Sequence, residues 1–154
     1  MSDDVQTVHL TQVQDYQFDI DFGIAGPLLR ADEPAPLGQG SGPSPVQLLA
    51  SAVGNCLSAS LLFALRKFKQ RPEPLTCSIE SHVGRNAEGR VRVLSITANL
   101  TLGVPAGSLD HLDRVIDGFE SYCTVTQSVR ASIPVCVNVF DSVGARLKPH
   151  STES

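Results

Sequence analysis

Ser44-Pro45-Val46-Gln47-Leu48-Leu49-Ala50-Ser51-Ala52-Val53-Gly54-Asn55-Cys56-Leu57-Ser58-Ala59-Ser60-Leu61-Leu62-Phe63-Ala64-Leu65-Arg66-Lys67-Phe68-Lys69 is the stretch on which the fold turns. Ser44 suits a helix N-cap and Pro45 the first helical position, where a missing N–H costs nothing. Gln47, three after the cap, completes a capping box. The pattern predicts a helix from Pro45 to about Lys69. Its closing cations favour the negative end of the dipole, and Pro72 and Pro74 forbid continuation. At ~3.6 residues per turn this is about six to seven turns. Although nearly long enough to span a bilayer, the run is interrupted by Gln47, Ser51, Gly54, Asn55, Ser58 and Ser60, so no membrane helix is expected. A helix apolar over most of its circumference must then be enclosed by protein, and its small residues let a sheet or partner helix approach closely. A second subunit is the expected source of part of that cover.

The rest of the chain is ordered around this helix. Upstream, Phe18, Ile20 and Phe22 alternate with Gln17, Asp19 and Asp21, the period of a half-buried strand, and Val8 to Val13 can pair with it across Gln14-Asp15. Residues 23–42 turn to Gly and Pro and read as one long loop. Downstream, Cys77, Ile79, Ser81 and Val83 mark a strand, Asn86-Ala87-Glu88-Gly89 a turn, and Leu94, Ile96, Ala98, Leu100 and Leu102 one face of a long return strand. Ser108 is placed to cap an amphipathic helix carrying Leu109, Leu112, Ile116 and Phe119. A break at Ser121-Tyr122 precedes a short helix from Cys123, and Pro134 opens a strand with Val135, Val137 and Val139. Residues 147–154 read as a frayed polar tail. The predicted class is α+β, with antiparallel sheets wrapped around a long central helix.

At 154 residues, one domain spanning 1–154 is expected, with its core in about residues 5–141. A hydrophobic share of 42% against 18% charged excludes a disordered chain, and a net charge of −4 offers no footprint for nucleic acid or an anionic membrane. The first residues, Met1-Ser2-Asp3-Asp4, carry no signal or transit pattern, so a cytoplasmic location with reduced thiols is expected. The four cysteines make no CxxC and the four histidines no zinc-type spacing, so no metal is expected.

Cys77 and Cys136 fall on strands and read as packing thiols. Cys56 lies about 18 Å from the start of its helix at ~1.5 Å per residue, beyond the reach of that helix's dipole. Its helical neighbours Ala52, Val53, Ala59, Ser60 and Phe63 are small and apolar. On this reading any activation of its thiol must come from a nearby cation. Cys123, at a helix start, faces unpaired backbone N–H groups that favour a thiolate. On spacing alone, two packing residues and a peroxidatic and resolving pair both remain open, the second requiring disulfide reach in the fold.

Two motifs decide the matter by resemblance. Gly42 to Ser58, with Pro45, Leu48-Leu49 and an Ala-rich helix leading to Cys56, resembles the first motif of the OsmC/Ohr family of osmotically inducible and organic hydroperoxide resistance proteins. Phe119 to Val129 is similar to the family's Cys-Pro-Val-Ser segment, with Thr124 in place of the proline. The resemblance implies an intertwined homodimer and a thiol peroxidase. Cys56 would attack the peroxide and Cys123 would resolve the sulfenic acid. A dithiol or lipoyl-type reductant would restore both, with no metal, haem or flavin. It also implies an N-terminal arginine beside the reactive sulfur, and Arg30 is the one basic residue before Arg66. The family's carboxylate, just after the helix-starting proline, is absent: Val46 and Gln47 stand there, which leaves Arg30 turned to solvent or paired with Asp32 or Glu33. That loss keeps two other functions in view: a non-enzymatic dimer binding a small apolar ligand, and a redox sensor.

Overall fold

The computed structural model describes residues 3–148. The chain divides into two compact units, Met1–Leu48 and Leu49–Ser154.

In the first unit, β1 (His9–Gln14), β2 (Gln17–Asp21) and β3 (Leu29–Ala31) form an antiparallel sheet in that order. The expected hairpin is present, with Leu10 opposite Ile20 and Gln12 opposite Phe18. Its turn bends through Asp15 in the left-handed region, φ 46°. Of the three alternating apolar residues only Ile20 is buried; Phe18 and Phe22 are exposed. β3 corrects the reading of 23–42 as a single loop. Three residues carry no periodicity, and their conformation comes from pairing with β2, Asp19 lying opposite Arg30 and Ile20 opposite Leu29. The remaining loop closes on Asp32, a buried carboxylate that accepts the amides of Glu33, Gln39 and Ser41 and the Ser41 hydroxyl. These bonds, that of the Ser41 amide foremost, hold Asp32 below the usual carboxylate range.

α1 (Pro45–Lys67) opens with the predicted capping box: the Ser44 amide donates to Gln47 Oε1 at 2.9 Å and the Gln47 amide to Ser44 Oγ at 3.3 Å. It ends two residues earlier than expected, in a Schellman turn. Lys69 takes φ 57°, its amide donates to the Arg66 carbonyl, and the Gln70 amide donates to that of Leu65.

The second unit carries a four-stranded sheet in the order β4 (Thr76–Arg85), β5 (Val91–Thr101), β6 (Val135–Phe140), β7 (Arg146–Lys148). β4 and β5 are the expected hairpin. β6, however, runs parallel to β5, Ile96 pairing with Val135 and Leu100 with Val139. The expectation of purely antiparallel strands fails here, because the chain between them crosses back through α2 (Leu112–Gly118) and α3 (Thr124–Arg130). β7 overturns the frayed reading for Leu147; residues 149–154 lie outside the described residues.

α2 also starts three residues later than a cap at Ser108 would have it. The Ser108 hydroxyl donates back to the Pro105 carbonyl at 2.7 Å in a 3-10 turn, Leu109 is extended, and His111 caps the helix at φ 59°. The core joins one stripe of α1 (Val53, Leu57, Leu61, Leu65) to the inner sheet face (Ile96, Ala98, Leu100, Val137, Val139) and to Val115, Ile116 and Phe119. Each fully buried leucine contributes about 1.5–3 kcal/mol. The predicted circumference is covered fully on this side only: Gly54 is buried beside the stripe, whereas Ala52, Ala59 and Phe63 are exposed, Phe63 by 65%. By length and composition α1 would also pass as a membrane span, mean hydropathy 1.8, but its buried stripe belongs to this core.

Candidate functional site

Two elements of the second unit bring two of the predicted site residues together. On α1, Leu57 is locked into the core, and this sets the rotation that places Cys56 at the core's flank, half-buried. The second cysteine is positioned by a break. After α2, a 3-10 turn over Phe119–Tyr122 anchors on buried Phe119, and Cys123 leaves the helical conformation at φ −83°, ψ 98°. Its carbonyl accepts the Gln127 amide at 3.0 Å, the first bond of α3, so Cys123 is the N-cap of that helix, as its sequence position suggested. Glu120 and Arg130 pair at 2.8 Å, and the Arg130 guanidinium also donates to the Val135 carbonyl at 3.0 Å, fastening α3 to the start of β6.

An N-cap side chain normally accepts from the second or third amide of its helix. Cys123 does not; its thiol donates to the buried Thr126 hydroxyl at 3.0 Å. The Val125 and Thr126 amides lie instead beside the Cys56 sulfur, close enough to favour its ionised form, and the Cys123 sulfur is its neighbour as well. A sulfur carried by α1 therefore sits at the start of α3 beside Cys123, both cysteines being free thiols.

The balance on Cys56 runs toward the protonated form. Burial pushes its pKa up most, the interaction of its S–H with the Cys123 sulfur adds to this, the charge that Cys123 would carry adds further, and the two amides pull the other way. The sequence reading held that a cation must supply any activation. It missed these amides because α3 lies far from Cys56 along the chain, although its start is marked by Cys123. Thr126 was missed as well, and the three-residue offset from an N-cap was the available signal.

Arg30 belongs to the first unit. Its Nε donates to Asp19 Oδ1 at 2.5 Å, across the β2–β3 pair. This corrects the expectation of an arginine turned to solvent or paired with Asp32 or Glu33: Asp32 is committed to the loop amides, and Asp19 becomes the neighbour once β3 exists. Asp19 falls below the usual carboxylate range through this hydrogen bond, and the Arg30 pKa rises, chiefly through Asp19 with a smaller contribution from the Asp32 charge. Val46 lies in the first turn of α1, and Gln47 is engaged in the capping box.

Cys77 is half-buried beside α1. Burial raises its pKa, and a hydrogen bond with Ser58 partly offsets this. Cys136 is half-buried on β6. Among the described residues, no group of three or more His, Cys, Asp or Glu side chains is placed to hold a metal ion.

Comparison with known proteins adds the lineage. The model of the OsmC-like protein family matches residues 38–138. No curated protein sequence matches. Among solved structures, an OsmC-like protein from Mycoplasma pneumoniae aligns with TM-score 0.75 at 14% identity, covering 91% of this chain and 99% of that one. An OsmC-like protein of unknown function from Vibrio cholerae gives 0.74 at 17% identity, covering 91% and 100%. An organic hydroperoxide resistance protein from Elizabethkingia anophelis gives 0.71 at 14%, covering 92% and 100%. At these identities the structural likeness speaks for the fold.

Proposed function

The chain belongs to the OsmC-like protein family, and from that premise we propose that it is a thiol-dependent peroxide reductase acting on organic hydroperoxides. The observation that carries this reading is that Cys56 and Cys123 are neighbours at the start of α3. In the proposed reaction the Cys56 thiolate attacks one oxygen of the O–O bond. The alkoxide leaves and takes up a proton to become the alcohol, and Cys56 is left as a sulfenic acid. The Cys123 sulfur then attacks the Cys56 sulfur, forming the disulfide and expelling hydroxide, which leaves as water with the proton that Cys123 gives up. An external dithiol or lipoyl-type reductant exchanges with this disulfide, becoming oxidised as both thiols are restored. The Val125 and Thr126 amides support the first step by stabilising the thiolate that burial opposes. Arg30, held by Asp19, is assigned the family role of orienting the sulfur and the peroxide oxygen; this assignment rests on the resemblance.

The reading includes a cytoplasmic homodimer. Its support is the apolar surface that the single chain leaves bare, with Phe63 on α1 at 65% and Ile24 at 78% exposure.

The test is turnover of an organic hydroperoxide with a dithiol reductant. Cys56→Ser is expected to abolish it and Cys123→Ser to stop it after one sulfenic acid; unchanged turnover in Cys56→Ser would overturn the assignment. Burial of Cys56 favours one competing reading, in which the thiol is inert and the dimer binds a small apolar ligand. A non-reducing peptide map after one equivalent of peroxide separates the two, since that reading predicts no link between 56 and 123.

A further inference from the structure

Thr126 has no exposed surface, and neither has Cys123, whose thiol donates to its hydroxyl at 3.0 Å. The hydroxyl is not needed to cap α3, because the Cys123 amide, which a capping box would offer it, already donates to the Glu120 carbonyl at 3.0 Å. Nor does it bond back into the helix, as Ser128 does by donating to the Thr124 carbonyl. Its partner is the sulfur that has to move its electron pair. We propose that Thr126 is a positioning residue for the resolving cysteine, holding the Cys123 sulfur against Cys56 through both protonation states; this rests on the peroxidase reading above.

The chemistry follows from the hydroxyl's two capacities. It accepts from S–H, as in the structure, and after rotation of its O–H it donates to S⁻, so Cys123 keeps a partner as it ionises. The rotation exchanges the hydrogen bond of the Thr126 hydroxyl for another to the same sulfur. Condensation then proceeds with its atoms accounted for: Cys123 releases one proton, its sulfur forms the S–S bond, and the departing hydroxide of the Cys56 sulfenic acid combines with that proton as water. A valine at 126 keeps the shape and loses both capacities, leaving the thiolate without its hydroxyl partner. A serine keeps both.

Two measurements on the full-length protein test this. In the first, the reduced protein meets one equivalent of tert-butyl hydroperoxide. Sulfenic acid at Cys56 is trapped with dimedone, and the 56–123 disulfide is followed by non-reducing mass spectrometry across a pH series. Thr126→Val is expected to form the sulfenic acid at the wild-type rate and to close the disulfide about tenfold or more slowly, the size of one hydrogen bond to a charged group. Its pH profile for closure should move to higher pH, and Thr126→Ser should restore both. The second measurement needs no peroxide: in a Cys56→Ser background, Thr126→Val is expected to slow iodoacetamide alkylation of Cys123 by a similar factor, again restored by serine. If Thr126→Val does not fold by circular dichroism, the smaller Thr126→Ala takes its place in both. Closure and alkylation unchanged in the valine or alanine variant, or not rescued by serine, would overturn the inference. Absence of both sulfenic acid and the 56–123 disulfide in the wild type, with the alkylation effect present, would overturn the peroxidase reading alone.

Discussion

Arg30 and Asp19 sit directly opposite each other on β3 and β2, joined by an Nε–Oδ1 ion pair of 2.5 Å. A strand of three residues thus gives the guanidinium a fixed carboxylate on the neighbouring strand, where the start of the long helix supplies only Val46 and Gln47. The pair is partly open to water, with 41% and 27% of the two side chains exposed, so its value is orientation more than stability. Asp19→Asn should leave the melting temperature essentially unchanged while lowering peroxide turnover, and Arg30→Ala should lower it further. Equal activity in all three proteins would remove Arg30 from the reaction.

The pH profile follows from the direction of the Cys56 shift. Burial and Cys123 raise its pKa, so at neutral pH the thiol predominates, and the thiolate, which is the nucleophile, grows as pH rises. The rate of the first step should therefore climb through and above neutrality instead of staying flat. Alkylation of Cys56 with iodoacetamide against pH, with Cys77, Cys123 and Cys136 resolved by peptide mapping, gives the midpoint. A midpoint below that of free cysteine would contradict this account.

Gly54 is buried on α1 with Ile79 against it: an added Cβ would lie 2.7 Å from Ile79 Cγ1 and 2.9 Å from Cδ1. Alanine gains about 0.8–1.0 kcal/mol of helix propensity, against about 1–3 kcal/mol for overpacking. Gly54→Ala should be destabilising by about 1 kcal/mol in urea unfolding. Adding Ile79→Val, which removes Cδ1, should recover part of that loss. A stabilised single variant would show that Ile79 moves aside freely.

Lys69 occupies the left-handed position of the Schellman turn at φ 57°, where a residue with a Cβ is strained by about 1–2 kcal/mol. Lys69→Gly relieves that strain and loosens the unfolded chain, so the net gain should be about 0.5–1 kcal/mol. Chemical denaturation should move to higher urea with an unchanged slope.

If a second copy covers the bare side of α1, Phe63 is the residue with most to lose, being 65% exposed in the single chain. Sedimentation should show a dimer at micromolar concentration, weakened by Phe63→Glu. A wild-type monomer with native helical content would overturn the dimer.

The sequence by itself determined whatever is enforced locally. The capping box at Ser44 and Gln47, the prolines beyond Lys69, the alternation of Ile96, Ala98 and Leu100 and the break before Cys123 each act within a few residues, and each appears where the pattern placed it. Family motifs around Cys56 and Cys123 were legible for the same reason. Contacts made across the chain were not. β3 exists through its pairing with β2, β6 is parallel because two helices carry the chain back, and Ser108 spends its hydroxyl on Pro105 instead of capping α2. The charge partner of Arg30 and the amides that Cys56 engages belong to this second group. Short strands, ion pairs and thiol environments draw their energy from neighbours distant in sequence, and only folding brings those neighbours together.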